Sequence, residues 1–385
     1  MTNSSIISAG VLLGALCAGS HVQAQSQTHK PVLQVPVPHK VQIAILLDTS
    51  SSMDGLISQA KSELWSIVNR FGEASINGVP PDVEVALYEY GKDSIPAGEG
   101  YLRMVSNFTT DLDHVSEELF ALGTNGGSEY AGLVIDRAVD GLVWSSARAD
   151  YRAIFIAGNE EFTQGPMPYG KAISAAGAKG IIVNTIHCGS RSAGIDGKWM
   201  HAAKIGEGSF LTIEQNHQAV QIASPFDKEI ASLSAKINRT YIAYGREGEK
   251  KAKRQKAQDS NASKMGIKSA MSRARTKGGR NYKNSTWDLV DGISEGKASL
   301  GKIKDRDLPA NMRKMSAKER KEFVAAKSAE RKALQARIKT LSDKRKKFIS
   351  AERKKLKKAE ASTFDSAVLE TVNKQMSKKG YKFAN

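Results

Sequence analysis

The chain has few cysteines, few aromatic side chains and no long apolar stretch, and each shortage removes a class of protein. Two cysteines, Cys17 and Cys188, stand among 385 residues. That is far too few for a small scaffold stapled by disulfides. The longest apolar run, residues 6–18, falls short of the roughly 20 residues a membrane-crossing helix needs. A phosphate-cradling G-x-x-x-x-G-K-[ST] loop and an H-E-x-x-H zinc helix are both missing from the sequence, so the common nucleotide-hydrolase and zinc-protease readings find no support.

That apolar run, followed by Val22-Gln23-Ala24, reads as a secretory leader over residues 1–24, with a linker at 25–39. No Lys or Arg precedes the run, and Leu16 is too large for the position before a lipidated cysteine. Removal of the leader leaves Cys188 alone, so no internal disulfide can form. The expected destination is the periplasm or the medium.

Charge is unevenly shared. The net +17 of the whole chain divides into 17 Lys and Arg against 24 Asp and Glu over residues 1–240, and 40 against 16 over residues 241–385. An acidic half is joined to a strongly basic one. Aromatic residues are scarce in the basic half, which argues against single-strand nucleic-acid binding by base stacking. Attraction to lipid headgroups, surface polysaccharide or an acidic protein fits export better. The acidic half is itself a possible partner, and a solvated face that keeps the chain soluble is the plainest alternative.

Over residues 40–241 strand and helix patterns alternate. The run "VQIAILLD" (41–48) is continuously apolar, as expected of a strand covered on both faces. Ile57, Ala60, Leu64, Ile67, Val68 and Phe71 then recur at helical spacing, and the short runs at 153–159, 180–189 and 209–215 read as further strands. This alternation predicts an α/β fold, a doubly wound and mainly parallel sheet flanked by helices. Residues 242–281 are charged and poor in apolar groups, and read as a charged linker or a solvated helix. A basic, mainly helical region follows at 282–385. Within it Trp287, Leu289 and Val290 form a small docking patch. Residues 316–361 lack Pro and Gly, which favours helix. Leu334, Ile338, Leu341 and Phe348 make a heptad-like stripe there, but Lys327 and Arg331 upstream and Arg345 within it break the register, and it is too short for a coiled coil.

The segment "DTSSS" (48–52) ends the first strand with Asp48, Ser50 and Ser52. Hydroxyls and carboxylates at a strand-to-helix turn are ordinary helix caps. They are equally the oxygen ligands that a hard cation such as Mg2+ takes. In doubly wound sheets ligands sit at the carboxyl ends of the strands, where Asp48 falls. His187 and Cys188, adjacent on a later strand, point to opposite faces; they make a weak nucleophile and base pair, and no enzyme is expected.

At these residues the chain resembles the von Willebrand factor type A domain with its metal-ion-dependent adhesion site. The likeness covers about residues 40–241 and includes D-x-S-x-S, the strand order and "WMHAAKIGEGSFLTI" (199–213). By this resemblance Asp48, Ser50 and Ser52 are first-loop metal ligands, and the second-loop position falls on Ser128, with Thr124 as the alternate. The third-loop aspartate falls on Asn159, a departure that removes one negative charge; Glu129, Glu160 or Glu161 are the residues placed to compensate. The resemblance implies a divalent cation, Mg2+ or else Mn2+ or Ca2+, whose open position is completed by an acidic group of a protein partner. Its rival is a scaffold whose type A fold no longer holds metal and whose tail makes the interactions.

Overall fold

The computed structural model describes residues 38–214, 222–355 and 364–383. The expected leader, Cys17 and residues 25–37 of the anticipated linker lie outside them.

Strand β1 (Lys40–Asp48) shows why its apolar run is continuous. Val41, Ile43, Ile45 and Leu47 enter one core with α1 (Ile57–Phe71). Ala44 and Leu46, pointing the other way, enter a second core. Side chains alternate across a strand, so a strand with helices on both faces has no polar positions to spare. It is flanked in parallel by β3 (Asp82–Tyr90) and β5 (Tyr151–Gly158), with Ile45 opposite both Leu87 and Phe155. Strands β6 (Ile182–Cys188) and β7 (Glu207–Ile213) extend the sheet in parallel on the β5 side. On the other side β4 (Leu102–Thr109) closes the edge antiparallel to β3. The order is β4-β3-β1-β5-β6-β7. This is the expected doubly wound, mainly parallel sheet. The antiparallel edge strand is the element that its irregular pattern hid.

The chain leaves β1 towards β3 on one side and later returns to β5 on the other. The loops beyond the carboxyl ends of β1 and β5 therefore diverge and leave a crevice between them. One face of the sheet carries α1 and α2 (Leu112–Ala121). The other carries α3 (Ala131–Gly141), α4 (Tyr169–Ala178) and α6 (Trp199–Ile205), the last preceded by the short α5 (Arg191–Asp196).

The basic half does not behave as a linker followed by a tail. After α7 (Asp227–Ile237), residues 248–278 form α8 (Gly248–Lys264) and α9 (Ile267–Gly278), both packed on the acidic half. Composition misleads here because ion pairs take over much of the role of apolar contacts. Arg273, buried, lies 2.6 Å from Asp113 and 2.8 Å from Asp259, and Lys268 lies 2.6 Å from Glu63. Arg254 reaches Glu117 at 2.6 Å. The acidic half does hold the basic half against itself.

The Trp287 patch docks as anticipated. Leu289 and Val290, on α10 (Leu289–Ser294), pack with Leu308, with Met312 of α11 (Ala310–Arg313) and with Val324. Val324 belongs to α12 (Ala317–Lys355), the long helix whose Leu334, Ile338 and Leu341 settle on α7 and α9. Arg331, which breaks the register upstream of the stripe, is buried and donates to Asp288 at 2.7 Å and to Asp291 at 2.7 Å. The last helix, α13 (Phe364–Ser377), returns to the sheet and puts Val368, Val372 and Met376 into the core beneath α1. Gln375 bonds Asn184 of β6 at 2.7 Å, and β8 (Lys382–Phe383) pairs with β2 (Ala74–Ser75). The end of the described chain thus completes the α/β unit that begins at β1.

Candidate metal centre at the end of the first strand

Asp48 is the final residue of β1 and is fully buried, as are Thr49 and Ser50. Thr49 anchors the turn: its N–H donates to the Tyr90 carbonyl at 2.9 Å and its hydroxyl to Glu89 Oε2 at 3.3 Å. The Ser50 N–H then turns back to Asp48 Oδ1 at 2.8 Å. Ser50 precedes a short helical turn at Ser51–Met53 but makes no side-chain cap bond, and Leu56, the residue before α1, makes none either. Helix capping therefore does not account for the hydroxyl cluster.

The hydroxyls face one another and the neighbouring loop instead. Ser50 Oγ and Ser52 Oγ are 2.9 Å apart, and Ser52 Oγ donates to Asn159 Oδ1 at 3.0 Å. The Asn159 amide returns a longer bond to the Ser52 carbonyl at 3.4 Å. Asn159 follows the end of β5, so the two diverging loops meet over Asp48.

Close backbone approach makes room for the carboxylate. Gly91 has φ +76°, and a Cβ there would lie 2.8 Å from Asp48 Oδ1 and 3.0 Å from Glu129 Cγ. A Cβ on Gly158 would lie 3.0 Å from Asp48 Oδ2. The 122–130 segment packs against this wall: the Asn125 N–H donates to the Thr49 carbonyl at 2.9 Å, and the Asp93 N–H to the Gly126 carbonyl at 2.6 Å. From this segment the side chain that reaches Ser50 is that of Glu129, which is buried. Ser128 is half-buried in the same turn, and the Thr124 hydroxyl is bonded to Asp54. Glu160 lies near enough for its charge to act on Glu129, while Glu161 is exposed and accepts from Thr163 at 3.3 Å.

Burial pushes the Asp48 carboxyl up to about 7, against the pull of the Ser50 N–H and hydroxyl and with a push from the charge of Glu129. Glu129 is raised by burial first and by Glu160 second. Asp48 Oδ2 has no hydrogen-bond partner among the described residues. A buried carboxylate oxygen without a partner is costly, on the order of 1–3 kcal/mol or more. The carboxylates of Asp48 and Glu129, the hydroxyls of Ser50 and Ser52 and the amide oxygen of Asn159 are all hard donors, so the donor set fits a small hard cation. Such an ion would offset the uncompensated charge.

Glu89, Gly91 and Gly158 are parts of this site that sequence reasoning passed over. Glu89 is buried at the end of β3, held by Lys92 at 3.1 Å and by Arg103. The glycines carry no chemistry of their own; only the approach of Asp48 reveals why they are there. Elsewhere on α2, His114, Glu117 and Glu118 bring ligand atoms within 4.8 Å of one another, but Glu117 is already held by Arg254. Cys188 is buried and its thiol is pushed up by burial, then by the charge of Asp48, while burial lowers the His187 imidazole. A thiol so strongly held in its neutral form is a poor nucleophile.

No protein-family profile matches the chain, and no curated protein matches it by sequence. Solved structures do resemble it. A conserved hypothetical protein, BatB, from Bacteroides thetaiotaomicron is 18% identical with a TM-score of 0.36, over 46% of this chain and 93% of its own. The VWA domain of SpRpn10 is 16% identical with a TM-score of 0.35, over 46% of this chain and 90% of its own. Proximal thread matrix protein 1 from the mussel byssus, with a zinc-occupied MIDAS motif, is 14% identical with a TM-score of 0.37, over 47% of this chain and 43% of its own. One of these neighbours is itself a von Willebrand factor type A domain and another carries a zinc-occupied MIDAS motif, and each shares about half of this chain.

Proposed function

We propose that the chain is an exported, non-enzymatic binding protein. Its α/β unit recognises an acidic group of a protein partner through a divalent cation held at Asp48, Ser50 and Ser52, with Asn159 and Glu129 at the rim. The basic region contacts an anionic surface or a further acidic partner. The observation that carries the reading is the buried Oδ2 of Asp48, which has no hydrogen-bond partner among the described residues, beside hydroxyls that cap no helix. When bound, the ion would supply a Lewis-acid position that an incoming carboxylate can complete. The protein's own share is to hold the oxygens in place and to keep α-helical caps from consuming them. Burial of Cys188 and His187 supports the non-enzymatic part.

A metal-free scaffold is the second reading, and one observation favours it: Ser52 and Asn159 already bond each other in both directions. The two readings part on one measurement. Mg2+, Mn2+ or Ca2+ added to the metal-stripped full chain should raise its melting temperature by several degrees, because a ligand that binds only the native state stabilises it. Asp48→Ala should abolish the rise. An unchanged midpoint with all three ions would leave the scaffold.

A further inference from the structure

We infer that the side chains of Lys277 and Asn238 condense into an intramolecular amide bond, with Asp259 carrying the protons. The site lies where the end of α7, the body of α8 and the last turn of α9 meet, and it does not depend on the metal reading at Asp48. Lys277 is fully buried. Its Nζ meets three acceptors: the Ser234 carbonyl at 2.8 Å, Asn238 Oδ1 at 2.9 Å and Asp259 Oδ2 at 2.6 Å. The nitrogen is thereby fixed against one carboxamide. Asn238 Nδ2 donates to the same Asp259 Oδ2 at 2.6 Å. An ammonium on one side and a carboxylate on the other settle which way round the Asn238 amide lies. These contacts close a ring in which a single carboxylate oxygen touches both nitrogens that would exchange protons, the attacking Nζ and the departing Nδ2. A plain buried ion pair needs only the first of them. The other oxygen of Asp259 is held by Arg273 Nε at 2.8 Å. Nucleophile, base and orienting group thus stand in the order that covalent chemistry requires.

The electrostatics agree with this geometry. Burial pushes the Lys277 ammonium down to about 8, opposed by Asp259 and helped by the charge of Arg273. Desolvation beside another cation is a recognised way to make a lysine nucleophilic. Burial would raise the Asp259 carboxyl, but Lys277 and Arg273 outweigh it, so the group stays ionised and can accept a proton. In the step itself Asp259 Oδ2 takes a proton from the Lys277 ammonium, the Nζ lone pair attacks Asn238 Cγ, and the carbonyl pair moves onto Oδ1. The carboxyl then passes its proton to Nδ2. As the oxyanion collapses the Cγ–Nδ2 bond breaks and ammonia leaves, and the surplus proton on Nζ passes through Asp259 to that ammonia. An ammonium and a primary amide become a secondary amide and an ammonium ion, with no oxidant or further reactant. The bond would tie α7 to α9 around α8. Cys188 is the one cysteine among the described residues, so no disulfide among them could make such a tie.

The test is tandem mass spectrometry on a tryptic digest of the purified full-length chain. Cleavage beside the flanking Lys and Arg residues gives the segments 237–239 and 276–280. They should appear joined through Asn238 and Lys277, uncut after Lys277 and lighter than their sum by one ammonia beyond the ordinary linear masses. A wild-type digest that yields only linear peptides would overturn the proposal, and this result requires no variant to fold. Loss of ammonia without a branch would overturn it too, because it marks cyclisation of Asn238 onto its own backbone. Lys277→Met and Asn238→Ala should each remove the branched peptide. Asp259→Asn leaves both partners in place, and in chain shown by circular dichroism to be folded it should lower the linked fraction at least about tenfold. An undiminished link in that variant would overturn the part given to Asp259.

Discussion

Individual residues act here mainly through what they leave unsatisfied or what they leave out. Asp48 buries a carboxylate oxygen that has no hydrogen-bond partner among the described residues. Gly91 acts by omission. Its φ of +76° and the 2.8 Å gap between a Cβ and Asp48 Oδ1 mean that Gly91→Ala meets both backbone strain and a clash. The expected cost is about 1–3 kcal/mol in urea unfolding, together with a loss of any melting-temperature response to divalent ions. An alanine variant as stable as wild type and still responsive would show that the close approach does not matter. The residue scale also explains what the sequence could not show at this site. The pattern D-x-S-x-S is contiguous and easily read, whereas the contact of Glu129 with Ser50 joins residues nearly eighty positions apart, and nothing local distinguishes Glu129 from Ser128.

At the scale of elements, charge is used as packing. The helices α8, α9 and α12 are too polar to be held by apolar contact alone, and each is tied by buried or half-buried ion pairs to elements far away in the chain. Asp227 shows how such a tie depends on pH. At the first residue of α7 it accepts the Ser224 N–H of the preceding turn at 2.7 Å and receives Arg345 of α12 at 2.6 Å. Burial alone would raise its carboxyl, but the Ser224 N–H and Arg345 outweigh that, and the net shift is downward. A carboxyl whose folded pKa is depressed stabilises the fold above its unfolded value of about 3.9 and loses that contribution as pH falls through the folded one. Asp227→Asn should therefore lower stability at pH 7 by about 1 kcal/mol, and the gap from wild type should close on acidification below the ordinary carboxylate range. Denaturant melts at neutral and acid pH measure it; a gap independent of pH would mean that the charge is irrelevant.

For the whole molecule, the decisive feature is the return of α13 to the sheet. Val368, Val372 and Met376 are buried with α1 residues, and Gln375 bonds Asn184 inside the core. Residues 364–383 are thus part of the α/β unit and are not an appendage. Deleting everything after residue 355 should expose part of that core and cost several kcal/mol, since removing a single buried aliphatic side chain already costs about 2–5 kcal/mol. Circular dichroism and dye binding on the truncated chain would show partial unfolding or aggregation. A truncated chain that melts like the intact one would mean that α13 packs without contributing.

By itself the sequence determined the alternation of strands and helices, the place of Asp48 at the end of the first strand and the imbalance of charge. These properties are written in neighbours two to four residues apart, where periodicity and sign are visible without knowing the path of the chain. Only the tertiary structure decided which loop side chain meets Ser50, which acids hold the basic helices, and that the end of the described chain fills the core beneath α1. Such contacts depend on the sheet order and on the crossing of α9 and α12, and a carboxylate or a leucine looks the same in sequence whether its partner is five residues away or three hundred.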